Sequence, residues 1–111
     1  MSALSDLGIA RALGTGALRI TPFNAKQLQP ASYDLTLGNL YRNLGDAPMA
    51  PLDARKPLIL PIRELPPNSR PILVFPKDFL LMVTAERLYL DTHHVGHLDG
   101  RSTLARMGLL I

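Results

Sequence analysis

Ten prolines divide this chain of 111 residues, and six of them fall within residues 42–70. Proline has no backbone N–H to donate, so within sheets it is confined to edge strands, strand starts and bulges. We therefore expect loops and short edge strands over residues 42–71, where Leu58-Ile59-Leu60 is the compact apolar run. Several short strands joined by Pro- and Gly-containing turns, with little helix, favour an all-β sandwich or barrel.

The N-terminal residues predict one helix followed by one strand. Ser5 can cap a helix whose apolar positions recur at roughly helical spacing, and Gly14-Thr15-Gly16 can end it. Residues 17–21 then form a short stretch that Pro22 stops. We predict a packing helix and a short strand in this part of the chain.

Three further stretches predict strands. From residue 32 onward apolar and polar residues alternate until Gly38-Asn39, which predicts a half-buried strand that closes in a turn. Residues 71–76 and 79–90 predict the strongest strands, with a proline-containing turn between them. Because residues 79–83 are all apolar, we expect the start of the last strand to be buried on both faces.

The composition is typical of one globular domain. Apolar residues make up 47% and charged residues 19% of the chain, which supplies enough apolar material for one core. Cysteine is absent, which excludes disulfides, thiol nucleophiles and thiolate metal sites and fits a reducing cytoplasm. The longest apolar run, residues 79–83, is far below the ~20 residues that cross a bilayer, and no signal peptide is evident. We expect a cytoplasmic protein with no membrane partner.

The charge pattern argues against polymeric nucleic acid as a partner. The net charge is +3, and the 12 Lys and Arg residues are scattered along the chain. Proteins that bind nucleic acid generally combine a basic patch with aromatic residues that stack on bases. Three Tyr and three Phe without such interleaving do not form that pattern, whereas a positive net charge tolerates small anionic ligands.

Residues 99–108, Asp-Gly-Arg-Ser-Thr-Leu-Ala-Arg-Met-Gly, combine glycines, hydroxyls and guanidinium groups more densely than any other decapeptide here. Ser102 is expected to cap a short helix through Arg106, with Gly108 just past its end. A helix start offers unpaired N–H groups to phosphate, and Arg101 can hold phosphate oxygens with two N–H groups. Ser102 and Arg106 are four residues apart and so share one helix face. On spacing alone, a capped surface helix with solvated arginines fits equally well.

A family resemblance favours the functional interpretation. Residues 100–109, Gly-Arg-Ser-Thr-Leu-Ala-Arg-Met-Gly-Leu, resemble the Gly-Arg-Ser-Ser-Leu-Ala-Arg-Leu-Gly-Leu signature of the dCTP deaminases, within the dUTPase-like superfamily. Thr103 and Met107 are the two departures from it, and both are mild. Residues 29–38, Gln-Pro-Ala-Ser-Tyr-Asp-Leu-Thr-Leu-Gly, resemble a second motif that is shared across this superfamily.

The resemblance implies an all-β fold, the dUTPase-like distorted jelly roll or β-clip, with a short N-terminal helix. It also implies a homotrimer with active sites between subunits, so we expect self-association. The family carries its catalytic glutamate, its closing strands and a C-terminal covering segment after the signature, and this chain ends at Ile111. We therefore expect one domain over residues 1–111 that is incomplete at its C-terminus and that does not turn over substrate usefully, since a positioned base contributes ~10²–10⁴-fold.

The activity implied by the resemblance is hydrolysis of the cytosine amino group of dCTP, which gives dUTP and ammonia. Arg106, in Leu-Ala-Arg, favours deamination. Two alternatives stay open. One is triphosphate hydrolysis as in the dUTPases, alone or together with deamination. The other is a catalytically inactive domain that binds nucleotide or other subunits.

The resemblance also implies the site residues. Arg101 and Ser102 engage the triphosphate of dCTP or dUTP, with Thr103 nearby. Arg106 lies at the catalytic centre close to the water and the base, and Ser102 is a catalytic candidate with it. Mg²⁺ is expected to accompany the triphosphate, because one ion neutralises charge that two arginines cannot.

Zinc is not expected, and we predict no metal-ligating residues. Common nucleobase deaminases activate water on zinc held by His and Cys, and this chain has no cysteine. Its histidines are His93, His94 and His97, at spacings of one and three, and they lack an obvious acidic fourth ligand for a metal, so a polar loop is favoured. The resembled family works without zinc, so a carboxylate must activate the water.

Carboxylates that precede the signature are predicted to have other roles. Asp34 is interpreted as a strand aspartate that accepts from local backbone N–H groups, with ordering of the nucleotide site as the alternative. Glu86 is expected to face solvent or a neighbouring subunit. The surroundings of Glu64 and Glu86 do not resemble those of the family's base.

Overall fold

The computed structural model describes residues 2–68 and 71–111 of the protein. Within these ranges short strands predominate, which confirms the all-β prediction. The α-helices of the described ranges are α1 (Asp6–Thr15) and α2 (Ser102–Arg106), and single 3₁₀ turns span Ala25–Gln27 and Leu44–Asp46. The strands of the same ranges are β1 (Leu18–Thr21), β2 (Leu28–Gln29), β3 (Ser32–Tyr33), β4 (Leu37–Asn43), β5 (Arg63–Glu64), β6 (Leu80–Thr84) and β7 (Arg87–Leu90).

Helix α1 begins and ends as the sequence predicts. The Ser5 hydroxyl accepts a hydrogen bond from the backbone N–H of Gly8 at 3.2 Å, which satisfies one of the free donors of the first turn. Gly16 follows the helix with a φ of 78°, a left-handed conformation that glycine adopts without steric cost. Strand β1 also forms as predicted and ends at Thr21, directly before Pro22.

All paired strands of the described residues are antiparallel. Strand β1 pairs with β7, β2 pairs with β3, and β4 lies between β5 and β6. These small sheets do not close into a barrel within residues 2–68 and 71–111. Antiparallel pairing throughout agrees with the dUTPase-like fold that the resemblance implies. The buried apolar side chains of the described residues are Ile9, Ala12, Ile20 and Leu60.

The predicted turn at Gly38-Asn39 is wrong. Strand β3 stops at Tyr33, and β4 runs from Leu37 through both residues to Asn43. A Cβ atom built on Gly38 would lie 3.0 Å from the carbonyl oxygen of Val83, and the β4–β6 register shifts between Leu37 and Tyr41. Glycine therefore marks a close backbone approach at a bulge here, and not the end of a strand.

The prediction of one strand over residues 79–90 is also wrong, because the segment divides into two strands in different sheets. Strand β6 pairs with β4, whereas β7 pairs with β1. The chain bends at Ala85 and Glu86, where the Ala85 N–H donates to the carbonyl oxygen of Thr36 at 2.8 Å. The Thr84 hydroxyl donates to the Glu86 carbonyl oxygen at 2.7 Å across the same bend. These bonds fix the corner from which the two strands diverge.

The apolar run over residues 71–76 does not form the predicted strand. It has no ladder partner in the described part of the chain, and Leu73 is 76% exposed. A strand requires a partner for its backbone groups, which the apolar pattern alone does not provide. The turn that follows is confirmed, since the Asp78 N–H donates to the Phe75 carbonyl oxygen at 3.0 Å.

The expectation that residues 79–83 are buried on both faces is wrong as well. Leu81 and Val83 are half exposed, while Leu80 and Met82 on the opposite face of β6 are partly covered. The β5–β4–β6 sheet is therefore covered on one face only by the described residues. Over residues 42–71 loops and the two-residue strand β5 form as predicted, and residues 69 and 70 of this region lie outside the described residues.

The chain exposes much more surface than a compact monomer of its size. Its accessible surface is 9609 Å² and its radius of gyration is 17.1 Å. A folded monomer of this mass exposes on the order of 6,000 Å², and 111 residues give a radius of gyration of about 13 Å. Much apolar surface is therefore not covered by the described residues. No helix among them is both long enough and apolar enough to cross a membrane.

Replacing Gly38 with alanine should destabilise the protein by about 1–3 kcal/mol, because its Cβ would press on the backbone of β6. The matched control is Gly14→Ala in α1, where a Cβ meets nothing within 4 Å. This control should stabilise by about 0.5–1 kcal/mol, since alanine is the better helix former. Urea unfolding of both variants measures the difference, and equal stabilities would contradict the close approach at Gly38.

Candidate functional site

The signature at residues 100–109 folds around α2, but its start differs from the prediction. Arg101 occupies the N-cap position, and the helix begins at Ser102 without a capping hydrogen bond from a side chain. The N–H groups of Leu104 and Ala105 both donate to the Arg101 carbonyl oxygen, at 2.9 and 3.1 Å. The predicted capping role of Ser102 is therefore wrong, and its hydroxyl is not engaged at the helix start.

The end of α2 follows the prediction for Gly108. This glycine has a φ of 84°. The Gly108 N–H donates to the carbonyl oxygen of Ala105, and the Leu109 N–H donates to the carbonyl oxygen of Leu104, both at 3.0 Å. This pair of bonds is a Schellman motif, which requires the left-handed residue in the middle. The signature is thus a short helix locked at its C-terminal end.

The four predicted site residues lie together on the surface. Ser102, Thr103 and Arg106 belong to α2, Arg101 precedes them, and all four are exposed. Ser102 and Arg106 are four residues apart, so they lie on one side of the helix. Because α2 has five residues, its dipole is small, and the guanidinium groups must provide most of the attraction for an anion.

Arg101 joins the signature to the second matched motif. Its Nη2 atom lies 3.7 Å from Oδ2 of Asp34, and that same oxygen accepts a hydrogen bond from the Gln29 side chain at 3.1 Å. Asp34 lies between β3 and β4 and not within a strand, so its interpretation as a strand aspartate bound to backbone N–H groups is wrong. The Arg101 side chain is 71% exposed, so the pair contributes little stability and mainly restricts the guanidinium.

Glu86 is the buried charged residue among the described side chains, with 6% of its surface exposed. The expectation that it faces solvent or a neighbouring subunit is therefore wrong. Its Oε1 accepts from the Gln27 side-chain amide, and its Oε2 accepts from the Thr36 N–H, both at 2.9 Å. These bonds tie the second matched motif to the corner between β6 and β7.

The protonation of Glu86 follows from these bonds. The hydrogen bond from Gln27, and then that from the Thr36 N–H, lower the pKa of Glu86 from its ordinary 4.5 to about 2. Such a weak base, closed off from solvent, is unsuited to proton abstraction near neutral pH. Glu86 is thus a fixed anion that organises neighbouring backbone. The available signal in the sequence was a carboxylate inside the mainly apolar stretch of residues 79–90.

Comparison with known proteins identifies a family for this chain. A family model described as dCTP deaminase-like matches residues 3–111. The chain belongs to the dCTP deaminase-like family. The resemblance predicted from residues 29–38 and 100–109 is thereby confirmed.

Relatives named "dCTP deaminase, dUMP-forming" are similar to this family member over nearly its whole length. The protein of Corynebacterium diphtheriae is 33% identical over 108 residues, which are 96% of this chain and 57% of the relative. The protein of Coprothermobacter proteolyticus is 37% identical over 109 residues, which are 97% of this chain and 59% of the relative. The chain therefore spans less than three fifths of the length of these relatives.

Two histidines of this dCTP deaminase-like chain, His93 and His94, lie beside Asp91. The Nδ1 atom of His94 lies 2.6 Å from Oδ1 of Asp91, which also accepts from the backbone N–H of His93 at 2.9 Å. The hydrogen bond to His94 is the largest of the effects that lower the pKa of Asp91. The sequence did not reveal this acidic partner. Residues 2–68 and 71–111 contain no group of three or more His, Cys, Asp or Glu residues that could hold a metal ion.

Two clefts of the structure lie away from the signature. One lies over β4 and β6 and is mainly apolar, with lining residues Leu40, Tyr41, Arg42, Ile62, Leu81, Met82 and Val83. Another lies over β1 and β7, with lining residues Arg19, Thr21, Arg87, Leu88 and Tyr89. The predicted site residues of the signature line neither of these two clefts, and their side chains are exposed.

Glu86→Gln should destabilise the folded protein by about 1–3 kcal/mol near neutral pH, because the new amide places a donor against existing donors. The folded-state pKa of Glu86 is depressed, so its stabilisation is fully present above pH 4.5 and is lost as the pH falls toward 2. The difference in unfolding free energy between wild type and variant should therefore shrink over that range.

Urea unfolding at several pH values measures this difference. Glu64→Gln is the control, since Glu64 is exposed and accepts from the Asn39 side chain alone among the described hydrogen bonds. Its effect should be close to zero at every pH. A Glu86→Gln difference that stays constant down to pH 2 would contradict the assignment.

Proposed function

We propose that this chain carries the nucleotide-binding part of a dCTP deaminase. The observation that supports this most directly is the 3.7 Å pairing of Arg101 with Asp34, because it joins two motifs of the family at one place. In the proposed reaction, water replaces the amino group of cytosine in dCTP and ammonia leaves. Membership of the dCTP deaminase-like family supports the choice of substrate.

The proposed roles of the signature residues follow from their chemistry. Arg101 binds triphosphate oxygens with its forked donors, and the hydroxyls of Ser102 and Thr103 donate to the same group. Arg106 lies near the cytosine and the attacking water, where its charge stabilises negative charge that develops in the transition state. The guanidinium of Arg106 stays protonated at working pH, so it cannot be the general base.

Magnesium enters this proposal as part of the substrate. The described residues offer hydroxyls and guanidinium groups at the signature and no cluster of carboxylates there. Mg²⁺ is commonly held by phosphate oxygens and water with few protein ligands. We therefore propose that the triphosphate brings the ion and that Arg101 neutralises the remaining charge.

The proposed final product is dUMP. The relatives are named dUMP-forming, and this supports a second hydrolysis that releases diphosphate. The complete conversion is dCTP and two waters to dUMP, ammonia and diphosphate. Release of ammonia without diphosphate would instead identify dUTP as the product.

A second candidate function is an inactive nucleotide-binding or subunit-interaction domain. The observation that favours it is the coverage of 57–59% of the relatives' length, because catalytic groups of the relatives can lie in the remaining part.

Self-association is proposed in either case, as a homotrimer. The large exposed apolar surface supports it, and sedimentation that shows one monomeric species would contradict it.

Arg101→Ala should weaken dCTP binding by about 1.5–3 kcal/mol, the range for a hydrogen bond to a charged group. The preference for dCTP over dUTP should not change, because phosphate contacts carry no information about the base. Titration calorimetry with Mg²⁺ measures both affinities. Arg55→Ala is the matched control, since Arg55 is an exposed arginine that pairs with Asp53 at 2.9 Å outside the signature. An equal loss in both variants would assign Arg101 to nonspecific charge attraction.

The chain alone should release ammonia from dCTP more slowly than the Corynebacterium diphtheriae protein, by more than the ~10²–10⁴-fold that a general base contributes. Joining the chain to the remaining part of that relative should restore ammonia and diphosphate in equal amounts. Equal rates for the chain alone and the relative would contradict this prediction. They would mean that a described residue serves as the base, and His97 would be the first to replace.

A further inference from the structure

The side chain of Gln27 connects four other groups of the second matched motif and its surroundings. Its Nε2 atom lies 2.8 Å from the carbonyl oxygen of Asp34, 3.0 Å from Oγ1 of Thr36 and 2.9 Å from Oε1 of Glu86. Its Oε1 atom accepts from the Tyr33 hydroxyl at 3.3 Å. The amide therefore uses both its donors and its acceptor within this network.

Gln27 holds the backbone of Asp34 from two directions. The Asp34 N–H donates to the backbone carbonyl oxygen of Gln27 at 2.9 Å. The Gln27 side chain donates to the backbone carbonyl oxygen of Asp34 at 2.8 Å. Both polar backbone groups of Asp34 are thus bound by one residue, which fixes the backbone from which the Asp34 side chain projects.

The network is anchored in the interior at its other end. Glu86 is buried and accepts from Gln27 and from the Thr36 N–H, so the amide cannot move without leaving a buried carboxylate short of a donor. Removing a partner of such a group costs its desolvation energy. The position of Gln27 is therefore set by the corner between β6 and β7.

These contacts lead to the signature. The carboxylate of Asp34 faces Arg101 at 3.7 Å, and Arg101 is a long, exposed side chain that would otherwise sample many rotamers. Resting on the proposed function, we infer that Gln27 is a positioning residue for Arg101. Through Asp34 it holds the guanidinium where the triphosphate of dCTP binds, so that less conformational entropy is lost on binding.

Gln27→Leu keeps the approximate size of the side chain and removes every polar contact that the side chain makes, while the backbone bond to Asp34 is retained. It should weaken dCTP binding about fivefold, the ceiling for an exposed ion pair. Binding of dCMP should change much less, because the loss falls on contacts to the outer phosphates. A residue with a merely structural role would lower stability but would not separate the two nucleotides. Asn39→Leu is the matched control, since its amide also donates to a glutamate, Glu64 at 2.9 Å, and it should leave both affinities unchanged.

Combining substitutions separates this inference from the proposed function. In an Arg101→Ala background Gln27→Leu should have no further effect on dCTP affinity. If Arg101→Ala leaves dCTP binding intact, the proposed phosphate site fails. If Arg101→Ala weakens binding but Gln27→Leu does not, or the two losses add in full, the inference alone fails.

Asp34→Asn tests the same step should Gln27→Leu not fold. It removes the charge that faces Arg101 and keeps the backbone of residue 34, so it should also weaken dCTP about fivefold and largely spare dCMP. Tighter dCTP binding by Asp34→Asn would overturn the inference. It would show that the aspartate competes with phosphate for Arg101 and does not position it.

Discussion

The hydrogen bonds to the buried carboxylate of Glu86 are the interactions on which the described structure depends most. It accepts from Gln27 on one oxygen and from the Thr36 backbone on the other, and so joins the motif at residues 29–38 to the strands β6 and β7. A buried anion is costly unless donors surround it, and the donors among the described residues are backbone and amide groups without a countercharge. Few apolar side chains of the described residues are buried, so this polar connection provides part of the organisation that a larger core would provide.

Elements governed by local interactions could be predicted from the sequence, whereas pairing between distant segments could not. The start and the end of helix α1 are determined by the residues that directly flank it, Ser5 and Gly16. Local turn preferences of glycine and asparagine predict a turn at Gly38-Asn39. The close backbone approach that requires glycine comes instead from Val83, which is distant in the sequence. The same reason explains Glu86, whose donors lie 59 and 50 residues earlier in the chain.

The same distinction between local and distant interactions applies to the candidate site. Arg101, Ser102, Thr103 and Arg106 were identified from the signature, and their gathering on one short helix follows from their adjacency in sequence. The contributions of Asp34 and Gln27 depend on the tertiary fold, which places these residues beside the helix. The spacing of residues in the sequence does not predict this placement. Asp34 was interpreted through its own neighbours, while its decisive contact comes from Arg101, 67 positions later by the numbering.

The long sequence separations within the Glu86 network bear on how the protein folds. Closing a loop of 59 residues costs chain entropy before any contact is gained, and proteins dominated by such contacts fold slowly. At a synthesis rate of about 5–20 residues per second, Gln27 is made about 3–12 s before Glu86, because 59 positions separate them. Throughout that interval the motif at residues 29–38 lacks the Glu86 carboxylate that holds it in place. The proposed nucleotide-binding surface therefore cannot assemble stepwise from the N-terminus. The motif at residues 29–38 waits for the β6–β7 corner, and Arg101 follows that corner in the chain.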